Sequence, residues 1–263
     1  MGRIDDRGHE KGPLTLAFDI GGSHLKAGVL SPAGDMITER VRIVTPKPAK
    51  PKDVVKGLVS LAGQLKRFDR VTIGFPGVVR RDTVYTAPNL GNDLWHEFKL
   101  AAVIAKELGK PVRMLNDASV QGLGVIEGRG TECVITMGTG MGFAHFLDGR
   151  LAPHLELSQH PIKGGKTYDE YVGEKVLEKI GRKRWLKRVH KIIPVLETVV
   201  MYDTLYIGGG NSRLIDPKDL PANVKTVSNE AGITGGVRAW DKRIDHLFEA
   251  PPKAFAPAAE HTS

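Results

Sequence analysis

The chain has 263 residues, 41% hydrophobic and 26% charged, with 38 Lys and Arg against 30 Asp and Glu for a net charge of +8. That is an ordinary globular balance, long enough for one large domain or two lobes sharing a cleft; no apolar run approaches the ~20 residues that span a bilayer, and residues 1–12 lack the apolar core of a secretion signal. The one cysteine, Cys133, excludes an internal disulfide and any multi-cysteine zinc site; at the start of an apolar strand it reads as a small core residue, and the location expected is cytoplasmic.

In chain order, a polar tail over 1–13 precedes a strand, Leu16-Ala17-Phe18-Asp19-Ile20, the loop Gly21-Gly22-Ser23-His24 and a second strand over 25–30. Residues 35–44 read as a third strand, after which Pro46, Pro48 and Pro51 break the chain. Asp53 is placed to cap a helix whose Val54, Leu58, Leu61, Ala62 and Leu65 share one face. Val71-Thr72-Ile73-Gly74 reads as a buried strand ending at Phe75-Pro76-Gly77. A helix over 97–108 and a strand over 111–115 lead to Asn116-Asp117.

The second half repeats the plan. A helix is expected over 118–125, then a strand over 133–137, the turn Gly138-Thr139-Gly140-Met141-Gly142 and a strand over 143–147. A helical region over 168–200, a strand over 204–207 leading into Gly208-Gly209-Gly210-Asn211-Ser212, and a helix over 232–247 follow. The Pro/Ala-rich end, 249–263, reads as a second disordered tail. Hairpins followed by crossing helices, twice over, predict an α/β fold with mixed sheets and the ligand between the copies. The expected lobes are 14–116 and 117–248, with the last helix packing back on the first.

Two facing Gly/hydroxyl turns suit a chain of phosphates, because Gly lets backbone N–H groups approach closely. Asp19 stands at a strand end where it would hold Mg²⁺ directly or through water, Lys26 adds positive charge, and an ordinary hairpin is the plain alternative. Neither turn is a P-loop, for no Gly-Lys-Ser/Thr follows. Asp117, at the carboxyl end of a strand, is the candidate general base, the plain alternative being a helix cap. Gly208-Gly209-Gly210 would let a flat ring lie on backbone. Asn89 and residues 156–160 are polar loop residues that suit sugar hydroxyls. The basic run over 175–191 reads as a solvated helix face or as a track for a polyanion; Trp185 is its only aromatic, so base stacking on nucleic acid is not expected.

Set in order, these motifs resemble the ROK family of sugar kinases within the hexokinase/actin superfamily, and within it the polyphosphate/ATP glucokinases. The residues that carry the likeness are Asp19-Ile20-Gly21-Gly22-Ser23 with Lys26, Gly74-Phe75-Pro76-Gly77, Thr86-Ala87-Pro88-Asn89-Leu90 with Trp95, and Leu115-Asn116-Asp117-Ala118. Met137-Gly138-Thr139-Gly140-Met141-Gly142, Glu156-Leu157, Ile207-Gly208-Gly209-Gly210 and Glu230-Ala231-Gly232-Ile233 continue it, over about residues 14–240.

The resemblance implies a duplicated actin-like (ribonuclease H-like) fold of two lobes around a cleft, and transfer of a phosphoryl group from polyphosphate or ATP, with Mg²⁺ and without zinc, to the 6-hydroxyl of glucose or mannose. It implies Asp117 as base, and Gly77, Asn89, Asn116, Glu156, His160 and Asp169 as sugar ligands. Asp19, Gly21, Gly22, Ser23, Lys26, Gly138, Thr139, Gly140, Gly209 and Gly210 would bind the phosphates or nucleotide. Relatives are often homodimers, and nothing in the chain marks an interface.

The sequence departs from the family at the sugar site and in the loop Gly91-Asn92-Asp93-Leu94 before Trp95. Relatives carry Glu-Leu-Gly-His at the sugar site; here Glu156-Leu157-Ser158-Gln159-His160 is one residue longer and lacks the glycine. Counting on from His160 puts Asp169 where relatives have Glu, with Glu170 one register away. A kinase for another hexose, or a sugar sensor without turnover, is therefore a rival reading. A DNA-binding sensor is not expected, since about 13 residues before the first strand are too few for a helix-turn-helix.

Overall fold

The computed structural model describes residues 12–65, 67–228 and 231–249. The tails expected over 1–13 and 249–263 lie almost wholly outside these residues, as does Glu230 of the last motif.

The first half is built on strands β1 (Thr15–Ile20), β2 (His24–Leu30) and β3 (Val41–Val44), joined as an antiparallel meander. The strand expected over 35–44 is shorter, and Met36 makes only an isolated bridge to Leu30. Helix α1 (Pro51–Gln64) crosses to β4 (Arg70–Phe75), which runs parallel to β1. Pro51 starts the helix, because its fixed φ suits the first position, where no N–H is needed. Lys50 is therefore the cap residue and Asp53 sits inside the first turn, where its charge meets the positive helix end. Val54, Val55, Leu58, Leu61 and Ala62 bury the inner face of α1, each large side chain worth roughly 1.5–3 kcal/mol when removed from water.

A small hairpin, β5 (Val79–Arg80) with β6 (Thr83–Val84), and a single helical turn, α2 (Asn92–Trp95), precede α3 (Leu100–Leu108). The helix starts three residues later than expected, because Glu97 takes φ 58°. Trp95 is fully buried, and its indole N–H donates to the Ala49 carbonyl at 2.9 Å, pinning loop 86–95 to the segment that leads into α1. Strand β7 (Val112–Asn116) completes a five-stranded sheet in the order β3-β2-β1-β4-β7. It passes directly into α4 (Asp117–Val125).

The second half repeats this plan with β8 (Thr131–Met137), β9 (Met141–Leu147) and β10 (Arg150–Leu151) as its meander. A short pair, β11 (Pro161–Lys163) and β12 (Lys166–Thr167), leads to α5 (Tyr168–Val172), α6 (Glu174–Ile180) and α7 (Arg182–Val200). The single helical region expected over 168–200 is thus three helices. Gly181 takes φ 76°, and a Cβ at Gly173 would strike the Asp169 and Thr139 carbonyls, so the chain turns at both. Strands β13 (Thr204–Gly208) and β14 (Val224–Thr226) close a second sheet, ordered β10-β9-β8-β13-β14, the counterpart of the first.

Helix α7 buries Trp185, Val189, Ile192, Ile193 and Leu196 and turns Lys183, Arg184, Lys187 and Lys191 outward. Cys133 is fully buried, and burial pushes its thiol up to about 12. The helix expected over 232–247 is instead one turn, α8 (Ala231–Thr234), followed by 3-10 turns at Gly235–Trp240 and Lys242–Leu247. Gly235 lies so close to the Val120 carbonyl of α4 that no side chain fits, and the tighter 3-10 winding brings the backbone in. This segment packs on the first sheet: Thr72 Oγ1 donates to the Gly236 carbonyl at 2.7 Å, and the Trp240 indole N–H donates to Thr72. No helix among the described residues is long and apolar enough to cross a membrane.

Candidate active site

The ends of the two sheets meet at one cleft. From the first half it is lined by Asp19, Ile20, Gly21, Gly22, Lys26, Pro76, Gly77, Pro88, Asn89 and Asn116. Asp117 and Gln121 come from α4, and Thr136 to Gly142, Glu156, Ser158, Asp169, Gly209 and Gly210 come from the second half. Most of the residues singled out in the sequence therefore converge on one cavity. Ser23 and His160 do not line it, and both are exposed.

The two hairpin turns face this space. Gly21 and Gly138 close their turns with N–H bonds to the carbonyls of His24 (2.9 Å) and Gly140 (3.0 Å). The next amides, those of Gly22, Ser23, Thr139 and Gly140, have no acceptor among the described residues. Both turns thus hold backbone donors in reserve, as an anion site requires. Asp19 and Lys26 sit opposite each other in the β1–β2 register and form a 2.8 Å ion pair through Oδ2.

Asn116 is the true cap of α4: its Oδ1 accepts from the amides of Ala118 (2.9 Å) and Ser119 (3.3 Å), and its Nδ2 donates to the Gly77 carbonyl at 3.1 Å. The capping role considered for Asp117 thus falls to its neighbour. Asp117 Oδ1 accepts from the Ala118 amide at 2.8 Å, and Oδ2 has no partner among the described residues. Burial, joined by the negative charge of Asp19 and Glu156, pushes the Asp117 carboxyl up to about 7, against the pull of the Ala118 amide and of His154. A carboxylate poised near neutral pH with one free oxygen is equipped to take a proton.

Glu156 lies on the same wall. Its Oε1 accepts a short bond from the Ser158 hydroxyl, and its Oε2 lies 3.3 Å from His154 Nε2. Burial works to raise its carboxyl, but the His154 and Ser158 contacts outweigh it and hold Glu156 below the usual range. Asp169 Oδ1 accepts from the Met141 amide at 2.7 Å, and its Oδ2 accepts from Gln159 at 3.2 Å. It therefore clamps the end of the second turn, and burial raises its carboxyl. Glu170 turns away, forming a capping box with Thr167 at the start of α5. In the Glu156–His160 stretch it is Ser158 and Gln159 that reach these carboxylates.

Three site residues were not singled out in the sequence. Gln121 stands one helical turn after Asp117, a spacing that marks a shared face. His154 stands two residues before Glu156, the spacing of side chains on one face of an extended segment. Thr136 ends β8 beside the second turn.

Among the described residues no group of three or more His, Cys, Asp or Glu is arranged to hold a metal. Mg²⁺ does not need one, since it takes one or two carboxylates with phosphates and water. Asp19, whose Oδ1 has no partner among the described residues and whose charge is felt at Asp117, fits that role.

Comparison with known proteins agrees with this fold. The profile of the ROK family matches residues 15–153. The polyphosphate glucokinase of Mycobacterium tuberculosis (strain CDC 1551 / Oshkosh) is 31% identical over 240 residues, covering 85% of this chain and 90% of that protein. That of Mycobacterium leprae is 30% identical over 249 residues, covering 88% and 76%. Among solved structures, the inorganic polyphosphate/ATP-glucomannokinase of Arthrobacter sp. strain KM superposes with a TM-score of 0.79 at 28% identity, covering 86% of this chain and 98% of that one. The fold is the actin-like ATPase fold of those kinases. The chain belongs to the ROK family and is a hexokinase-type phosphotransferase.

Proposed function

We propose that this sugar kinase transfers the terminal phosphoryl group of ATP or inorganic polyphosphate to the 6-hydroxyl of glucose, or of a close hexose such as mannose. The observation that carries the reading is Asp117: a raised, half-free carboxylate in the same cleft as two turns with unused amides. Asp117 takes the hydroxyl proton as the sugar oxygen bonds to phosphorus. The phosphoanhydride bond breaks, and its electron pair leaves with ADP or the shortened polyphosphate. The amides of Gly22, Thr139 and Gly140 and the Lys26 ammonium face the donor oxygens. Mg²⁺, held through Asp19 or its water, would neutralise charge on the phosphates. Gly77, Asn89, Asn116, Glu156 and Asp169 surround the sugar, with Asn116 also bracing Gly77; Gly209 and Gly210 form the wall beside the donor's tail. The mannose alternative is supported by the glucomannokinase name of the solved relative, and a cytoplasmic location by where ATP and free hexoses meet.

The test is a paired assay of purified protein with Mg²⁺, offering glucose and mannose with ATP in one arm and nucleotide-free polyphosphate in the other. Sugar 6-phosphate in either arm supports the reading and names the donor. Glucose binding with no product in both arms would make the protein a sensor instead.

His154 supplies a second expectation. It braces Glu156 through Nε2, so His154→Ala is expected to raise the sugar KM about tenfold, the usual cost of losing a charge-assisted bond. The donor KM should stay put. Kinetics with sugar varied at saturating donor decide it, and a sugar KM within twofold of wild type would show the contact to be idle.

A further inference from the structure

The proposed reaction leaves one buried polar side chain of the cleft without a task. Gln121 is 5% exposed, lies on α4 one turn past Asp117 and forms part of the cleft wall. Its Nε2 is buried and has no hydrogen-bond partner. The amide nitrogen rests against Gly208, where an added Cβ would meet it. Gly208 pairs with Thr136 across the sheet and continues into Gly209 and Gly210. A buried amide without an acceptor is costly and rare, and an apolar side chain would fill this site without that cost. Gln121 therefore needs an acceptor that the chain does not supply, and the cleft that the residue lines is the neighbouring space that can bring one.

We propose that Gln121 binds the phosphoryl donor, its Nε2–H donating to a phosphate oxygen on the leaving side of the bond that breaks. The inference rests on the kinase reading. The carboxylates of the cleft, Asp19, Asp117, Glu156 and Asp169, stand on other elements or at the first position of α4, whereas the Gln121 amide lies against Gly208, which Val227 also approaches and which pairs with Thr136 in the sheet, none of them charged. An uncharged hydrogen-bond donor in such a corner suits an anionic oxygen. The β-phosphate of ATP and the penultimate unit of polyphosphate offer the same chemistry.

The experiment compares the full chain with Gln121→Met and Gln121→Glu. Thermal melts are run without ligand, with Mg²⁺ and ADP, and with Mg²⁺ and tripolyphosphate; KM is then measured for each donor and for the sugar. Gln121→Met, which removes an unpaired amide, is expected to melt at or above the wild-type temperature without ligand. Its ligand-induced stabilisation should shrink and its donor KM rise about tenfold or more, with the sugar KM unchanged. Gln121→Glu should lose more, by charge repulsion, and the arm that loses most names the source of the phosphate. The proposal is overturned if Gln121→Met melts several degrees lower, which would make the amide a structural group. It is also overturned if donor KM and ligand shifts stay within twofold of wild type, or if neither ligand stabilises the wild type. Absence of sugar phosphate from the wild type with both donors would defeat the kinase reading, while the melts would still decide whether Gln121 meets a phosphate chain.

Discussion

Asp117→Asn is expected to lower kcat by about 10³-fold, within the span of general-base contributions, and at the same time to stabilise the protein. Asn keeps the acceptor for the Ala118 amide, so the local geometry of α4 survives. What it removes is a charge the fold disfavours. The native carboxyl holds its proton up to about 7 against an ordinary value of 3.8. Relative to the unfolded chain, the native state therefore loses stability as pH rises from near 4 to near 7, and the full cost is present at pH 8. Part of that cost, roughly 1–3 kcal/mol, is relieved by Asn, which corresponds to a melting temperature about 2–12 °C higher at pH 8. The gain should shrink as the pH is lowered toward 4. In the wild type, kcat/KM should fall about tenfold per pH unit below about 7 and level off above it, since only the unprotonated base works. An Asp117→Asn protein with near wild-type turnover would remove Asp117 from the chemistry. An unchanged or lower melting temperature at pH 8 would contradict the burial argument.

Gly209→Ala is expected to damage stability and donor use together. Gly209 takes φ 84°, and an added Cβ would run into the backbone of Met137, the last residue before the second Gly turn. The contact is held from both sides: the Asn211 amide donates to the Met137 carbonyl at 2.9 Å, and Ser212 Oγ donates to the Gly209 carbonyl at 2.9 Å. Alanine must accept the left-handed region, at roughly 1–2 kcal/mol, and then push two backbone segments apart. A total of about 3 kcal/mol corresponds to a melting temperature about 6–12 °C lower. The donor KM should rise at least about tenfold, because the displaced Met137 carries Gly138 and Thr139 with it. Gly210→Ala is the control for stability, since nothing lies within 4 Å of its added Cβ; its melting temperature should match wild type. Equal melting of Gly209→Ala and wild type would show that the loop is not seated as described.

The legible parts of the site are those whose chemistry is local. A strand, a Gly turn and a second strand can be read from about 15 consecutive residues, because alternation and turn residues act over short range. Asp117 was legible as a polar residue where a strand stops. The contacts that tune these groups were not. Asp169 reaches Met141 across 28 residues of chain, and Thr72 reaches Gly236 across 164. The carboxylate partner at Ser158 and Gln159, rather than His160, depends on how a 3-10 turn orients three neighbouring side chains.

By itself, the sequence determined the duplicated order of hairpins and helices, the mixed sheets and the family, for these rest on patterns repeated within each half. Tertiary structure alone decided where the helices break and what charge Asp117 carries. Gly173 and Gly235 interrupt helical stretches because carbonyls of other elements occupy the space a side chain needs. The Asp117 carboxyl titrates near neutrality because folding buries it and brings Asp19 and Glu156 beside it from distant parts of the chain. Burial and the approach of like charges are properties of the packed whole, and no short window of residues contains them.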